Sequence, residues 1–202
     1  MSEINQLPII TISREYGAGG RSVARSLAGR LGIEFYDKDF VKMTAQNSGY
    51  SEEDIKRVGE ELSSRSWFMN AFVNTTAMYT SSHDAIFKAE REAILELSKQ
   101  GPCIIIGRCA NVILREVGIP SFDIFLYADK AFRVKRAQQL GENGDILAEK
   151  YVEKRDHYRS LYYKTYTGYE IGDYRNYNIC LDTGRIGFEA CVDLLEEILK
   201  KA

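Results

Sequence analysis

At 202 residues with 45% apolar content, the chain can fill one good core, and a single domain carrying an inserted subdomain is expected. Its 27 basic and 29 acidic residues leave a net charge of −2, which excludes recognition of nucleic acid or an acidic membrane surface by bulk charge. Any anion must therefore be met by a local cluster. The first eight residues hold no basic region followed by a long apolar run, and no later segment approaches a membrane span, so a cytoplasmic protein is expected.

The first apolar run, Ile9-Ile10-Thr11-Ile12, reads as a strand that passes through a glycine-rich turn into a helical pattern. Ala24, Leu27, Ala28 and Leu31 fall at i, i+3, i+4 and i+7, so a helix over residues 22–31 is well supported. Glycines let backbone N–H groups turn inward on an anion, and the first helical turn adds unpaired donors and the positive end of its dipole. Gly17, Ala18, Gly19, Gly20, Arg21 and Ser22 are thus candidate phosphate-binding residues. The phosphate-loop pattern G-x-x-x-x-G-K-[ST] is met only in part. Gly20 takes the place of the lysine, and Ser22, one residue past the hydroxyl position that Arg21 then fills, is the candidate hydroxyl to hold magnesium. Arg14, where the first glycine of the motif normally stands, or Arg21 would then bring a guanidinium to the phosphates. The plain alternative is a glycine-rich turn with no ligand. A dinucleotide fingerprint fits worse, because serine stands at its third glycine position.

Four further apolar runs, at 33–36, 103–106, 124–127 and 177–181, read as strands. Helical patterns cover 38–47, 51–62, 83–99, 130–140 and 187–200, with a capping box at Ser51-Glu52-Glu53-Asp54. Strands alternating with helices predict an α/β fold with a parallel sheet and ligands at the carboxyl ends of its strands. Two stretches exceed a simple crossover. Residues 38–100 contain an aromatic stripe from Trp67 to Tyr79, which suits core packing first, a homodimer surface second and a base-binding wall third. Residues 141–176 hold Lys150, Lys154, Arg155, Arg159, Lys164 and Arg175 among many tyrosines, either a solvated helix face or a mobile cover for phosphates. Cys103, Cys109, Cys180 and Cys191 lack metal-ligand spacing and read as reduced thiols, mostly in the core. His83 and His157 are too far apart for a zinc site.

Taken in order, several segments resemble the nucleoside monophosphate kinase fold, and most closely the cytidylate kinase-like branch of the phosphate-loop kinases. They are the loop from Ile12 to Arg21, Phe35-Tyr36-Asp37-Lys38-Asp39, Ile106-Gly107-Arg108-Cys109-Ala110, Tyr127-Ala128-Asp129 with Arg133 and Arg136, the basic stretch, and Leu181-Asp182-Thr183-Gly184. The resemblance spans nearly the whole chain. It implies a three-layer α/β/α domain with a five-stranded parallel sheet, a core at about 7–37, 83–140 and 177–202, a helical acceptor-binding insertion at about 38–82 and a lid at about 141–176.

It also implies roles. Asp37 matches the aspartate near the acceptor or magnesium waters, and Asp39 the second acid of the shikimate-type pattern; a helix N-cap is the alternative for either. Arg108 matches the arginine that grips the acceptor phosphate, and Arg155 and Arg159 match the lid arginines that close on the transferring group. Arg133 and Arg136 would join them around the donor. The implied activity is ATP- and magnesium-dependent phosphoryl transfer to a small nucleotide acceptor, a pyrimidine nucleoside monophosphate. Two departures stand out: Gly20 replaces the loop lysine, and strand three ends Ile106-Gly107 without an acid. They leave open a nucleotide-binding sensor that has lost transfer, or a kinase for a different small metabolite.

Overall fold

The computed structural model of the protein describes residues 7–37 and 76–201. The helices expected at 38–47 and 51–62, Asp39, and the side chains of the aromatic stripe lie outside the described residues. Five parallel strands form one sheet: β1 (Ile9–Arg14), β2 (Glu34–Tyr36), β3 (Cys103–Ile106), β4 (Ser121–Tyr127) and β5 (Ile179–Asp182), in the order β2-β3-β1-β4-β5. Side chains alternate across a strand, so one set of apolar positions faces each side. Ile10, Ile12, Ile104, Ile106, Ile124 and Leu126 meet α1 (Gly20–Leu31) and the C-terminal helix on one face. Ile9, Cys103 and Ile105 meet α2 (Thr76–Lys99) and α3 (Ala110–Glu116) on the other. Three layers result, as the resemblance implies.

The same topology positions the ligand crevice. The chain goes from β1 to β2 on one side and later from β3 to β4 across β1, so neighbouring loops diverge above the carboxyl end of β1. Those loops are stitched to the sheet, with Gly107 N–H bound to Ile12 O and Glu15 N–H bound to Leu126 O, both at 3.0 Å. The segments after β1 and β3 are therefore held face to face.

Helix boundaries moved where periodicity is a poor guide. α1 begins at Gly20, two residues before its apolar pattern, and α2 begins at Thr76 rather than residue 83. α3 was not foreseen, because Ala110 to Leu114 are all buried and give no amphipathic period. α4 (Lys130–Leu140) matches its prediction, its start fixed by the Asp129 carboxylate accepting from Phe132 N–H. Residues 141–176 hold a 20-residue helix, α5 (Ala148–Thr167), whose Tyr163 is buried against the α2 and α3 side of the sheet. The expected final helix is α7 (Phe188–Leu199), and a short helix that periodicity did not announce, α6 (Thr183–Ile186), precedes it, with Gly187 at φ 85° between them. The four cysteines are free, and all but Cys180 are buried.

Candidate active site

The loop after β1 is shaped by two glycines in the left-handed region, Gly17 at φ 83° and Gly19 at φ 78°. Gly19 is the N-cap of α1, and no side chain caps the helix. Val23 N–H closes the first turn on Gly19 O at 3.0 Å, which leaves the N–H groups of Gly20, Arg21 and Ser22 with no carbonyl one turn back. Uncapped donors at a helix N-terminus form an anion site in both charge and geometry. A Cβ at Gly19 would penetrate the Phe188 ring. We expect Gly19→Ala, strained at positive φ and overpacked, to lose about 3 kcal/mol of stability, read as a fall of about 8 °C in Tm.

Arg14, the last residue of β1, sends its side chain past Gly20 to Gly107. A Cβ on Gly20 would lie 2.9 Å from Arg14 Cγ, and one on Gly107 would collide with Arg14 Nη1. Both glycines thus make room for this side chain, stem at one and guanidinium at the other. Desolvation and then the charge of Arg159 push the Arg14 guanidinium well below its usual range, with Asp37 acting in the opposite sense. Arg14 makes no hydrogen bond or ion pair through its side chain to any described residue within contact distance. Charge held this way favours an incoming anion.

Beyond β3 the backbone takes three left-handed residues in a row: Gly107 (φ 75°), Arg108 (φ 55°) and Cys109 (φ 59°). The two non-glycine residues each carry strain of about 1 kcal/mol or more. That conformation aims Arg108 at the cleft. Its Nε lies 3.2 Å from an oxygen of Glu90, itself 1% exposed, and its guanidinium covers the Tyr162 ring at 5.5 Å. Tyr162 Oη donates to the other Glu90 oxygen. The buried carboxylate holds the Arg108 charge firmly, raising its pKa despite burial.

α5 closes the cleft with its basic face. Arg155 and Arg159 lie over the Tyr16 ring at 5.8 and 5.4 Å, and Arg159 Nη1 also donates to Arg14 O at 3.4 Å. Burial, opposed by Asp156 and reinforced by Arg155, brings Arg159 down to about 10. Arg14, Arg21, Asp37, Arg108, Arg155 and Arg159 all line one open cleft of about 220 Å³, together with Tyr158 and Tyr162.

Other expected residues lie elsewhere. Arg133 is buried beneath the loop: Nε donates to Ala128 O at 2.9 Å and lies 3.1 Å from Glu15, while Nη1 binds Tyr16 O at 3.2 Å and pairs with Asp156. Asp156 also accepts from Tyr16 N–H at 2.6 Å. Arg133 and Asp156 together tie α4 and α5 to the loop. Arg136 covers the Phe188 ring at 4.5 Å and donates through Nη2 to Ser22 Oγ at 2.8 Å. Neither Ser22 nor Arg136 lines the cleft that holds Arg14. Arg21 is paired with Asp37 and lies 3.8 Å from Glu142. Of the two arginines that would serve the phosphates, the geometry points to Arg14.

A magnesium ion takes oxygen ligands and rides on nucleotide phosphates through one or two protein oxygens. The Asp37 carboxylate supplies that chemistry at the cleft, where it receives Arg21, whereas Ser22 Oγ receives Arg136 outside the cleft. Asp37 fits the ion by donor type, its binding would displace the Arg21 bond, and the expected Ser22 ligand does not share that cleft.

Glu90, Tyr162 and Asp156 were missed by sequence reasoning. Glu90 left a signal: with Phe87, Ile94 and Leu97 at helical spacing, it is an acid on the apolar stripe of α2. Asp156 left none, standing among charged neighbours on a helix with many of them.

The model of the cytidylate kinase-like family matches residues 9–185. A cytidylate kinase from Thermoplasma volcanium is 24% identical over 180 residues, covering 86% of this chain and 82% of that one. Among solved structures, an uncharacterized protein from Eubacterium ventriosum superposes with TM-score 0.70 at 22% identity, over 96% of this chain and 99% of that one. Shikimate kinase from Acinetobacter baumannii in complex with shikimate superposes with TM-score 0.55 at 16% identity, over 98% and 96%. The sheet order, the glycine-rich loop at the carboxyl end of β1 and these likenesses agree on a phosphate-loop kinase fold, and the chain belongs to the cytidylate kinase-like family.

Proposed function

We propose that this protein is an ATP-dependent kinase that transfers the γ-phosphoryl group to a small nucleotide acceptor, a pyrimidine nucleoside monophosphate. The observation that carries this reading is the convergence of Arg14, Arg108, Arg155 and Arg159 on one cleft beside uncapped N–H donors. The acids facing them are already engaged, Asp37 by Arg21 and Glu90 by Arg108 and Tyr162. A cleft so unevenly charged suits several phosphates at once.

Phosphoryl transfer needs positioning and charge neutralisation more than covalent participation. The N–H groups from Gly17 to Ser22 would receive the donor phosphates, with Arg14 supplying the cation that Gly20 cannot. Arg108 would hold the acceptor phosphate across the cleft, and Arg155 and Arg159 would face the equatorial oxygens between them. A phosphate monoester has its second pKa near 6, so the attacking oxygen is largely ionised at neutral pH and needs no general base. That leaves Asp37 free to orient Arg21 or to hold metal water. Magnesium, held beside the donor phosphates by Asp37, would neutralise donor phosphate charge when bound.

The test is ADP formation from Mg-ATP in a coupled assay, with CMP, dCMP, UMP, AMP and shikimate as separate acceptors. Turnover that requires a pyrimidine monophosphate is the expected result. ATP binding without turnover on any acceptor would instead make the protein a nucleotide sensor, the reading that Gly20 allows.

A further inference from the structure

Arg108 is positioned by groups outside the phosphate loop. α2 brings Glu90 to it from below, and α5 brings Tyr162 from the side. The three form a closed arrangement: carboxylate to Nε at 3.2 Å, phenol to carboxylate, guanidinium over ring at 5.5 Å. Glu90 is 1% exposed, whereas the Arg108 side chain remains 31% exposed at the cleft wall. A carboxylate buried to that degree is costly unless its partners are fixed. Because the ion pair is made through Nε, the nitrogen nearest the stem, it sets the plane of the guanidinium.

The left-handed backbone at Gly107, Arg108 and Cys109 adds a second constraint on the same side chain. Strain of this kind persists only where surrounding contacts determine it. A merely structural ion pair would need neither this backbone nor an aromatic platform. The platform stands on the same helix as Arg155 and Arg159, so α5 carries both the group that orients Arg108 and the cations that face the donor.

We infer that Glu90 and Tyr162 are positioning residues that orient Arg108 toward the phosphate of the acceptor, and that they set acceptor affinity rather than donor affinity. This rests on the kinase reading above. Glu90→Gln keeps the volume and the oxygen that Tyr162 addresses but removes the charge that fixes Nε. Tyr162→Phe keeps the ring under the guanidinium and removes only the phenol.

The experiment is calorimetric titration of the full-length wild type, Glu90→Gln and Tyr162→Phe, each with CMP and separately with ADP. Misorientation of a single binding group costs on the order of tenfold or more. We expect CMP to bind about tenfold more weakly to Glu90→Gln, and by a smaller factor to Tyr162→Phe, with ADP affinity within twofold of wild type. Glu90→Asp, which restores the charge, is expected to recover part of the loss. CMP affinity unchanged in both variants, or CMP and ADP weakened equally, would overturn the positioning role. A wild type that binds ADP but not CMP would instead overturn the acceptor assignment, and the inference with it.

Discussion

Replacing Arg14 with alanine is expected to lower kcat/KM by about 10³-fold, the scale at which an arginine facing a transferring phosphoryl group acts. The reason is geometric. Gly20 offers no side chain where phosphate-loop kinases carry lysine, and Arg14 enters the same space from the strand end with its stem against Gly20 and its guanidinium against Gly107. A sharper result follows for Gly20→Lys. Restoring the motif residue in the wild-type background places a Cβ 2.9 Å from Arg14 Cγ, so activity falls instead of rising. With Arg14→Gly in the same chain that space is vacant, and Gly20→Lys should then recover at least about tenfold over Arg14→Ala, since a flexible ammonium supplies the positive charge that the guanidinium did. Steady-state kinetics on the four proteins checks this. An activity gain from Gly20→Lys alone would show that Arg14 does not hold the lysine's place.

Arg159→Met is the second large effect, and its sign differs between stability and activity. The side chain is largely withdrawn from water, and its charge is opposed by Arg155 and Arg21. Asp156 is 4.0 Å away and already paired with Arg133. Methionine keeps most of the apolar stem over Tyr16 and relieves repulsion toward Arg14. We expect Tm to rise by about 3 °C, equivalent to about 1 kcal/mol in a chain of this length, while turnover falls by about 10²-fold or more. Like-charged groups held together without a ligand are the pattern of a binding site rather than of a stabilising network. Thermal melts alongside turnover measurements decide it, and a Tm that falls together with activity would assign Arg159 a structural role.

The fold was legible because its strands are short apolar runs separated by helical periods, which alternating β and α elements require. α1 follows from the Ala24, Leu27, Ala28, Leu31 stripe and α4 from the helical pattern over 130–140. α3 was hidden because a helix buried on all sides has no amphipathic signal. In the candidate site, Arg14 and Arg21 could be proposed from loop position, and Asp37, Arg108, Arg155 and Arg159 from the resemblance; the fold brings all six to one cleft. What spacing could not show is that the Arg14 side chain lies against both Gly20 and Gly107. That depends on Gly107, 93 positions beyond Arg14 in the chain, being brought under the guanidinium by the pairing of β1 with β3. The position of Arg133 under the loop likewise depends on Asp156 from α5, a contact that no local pattern announces.

On the proposed function, this cleft transfers a phosphoryl group with Arg14 supplying the cation at the loop. The most direct measurement follows the γ-phosphoryl label of ATP incubated with CMP and the wild-type protein, and with Arg14→Ala beside it. Label appearing in CDP with wild type, and reduced by about 10³-fold with Arg14→Ala, is the predicted result. Label released only as inorganic phosphate, or retained in ATP by a folded protein that binds it, would contradict the account.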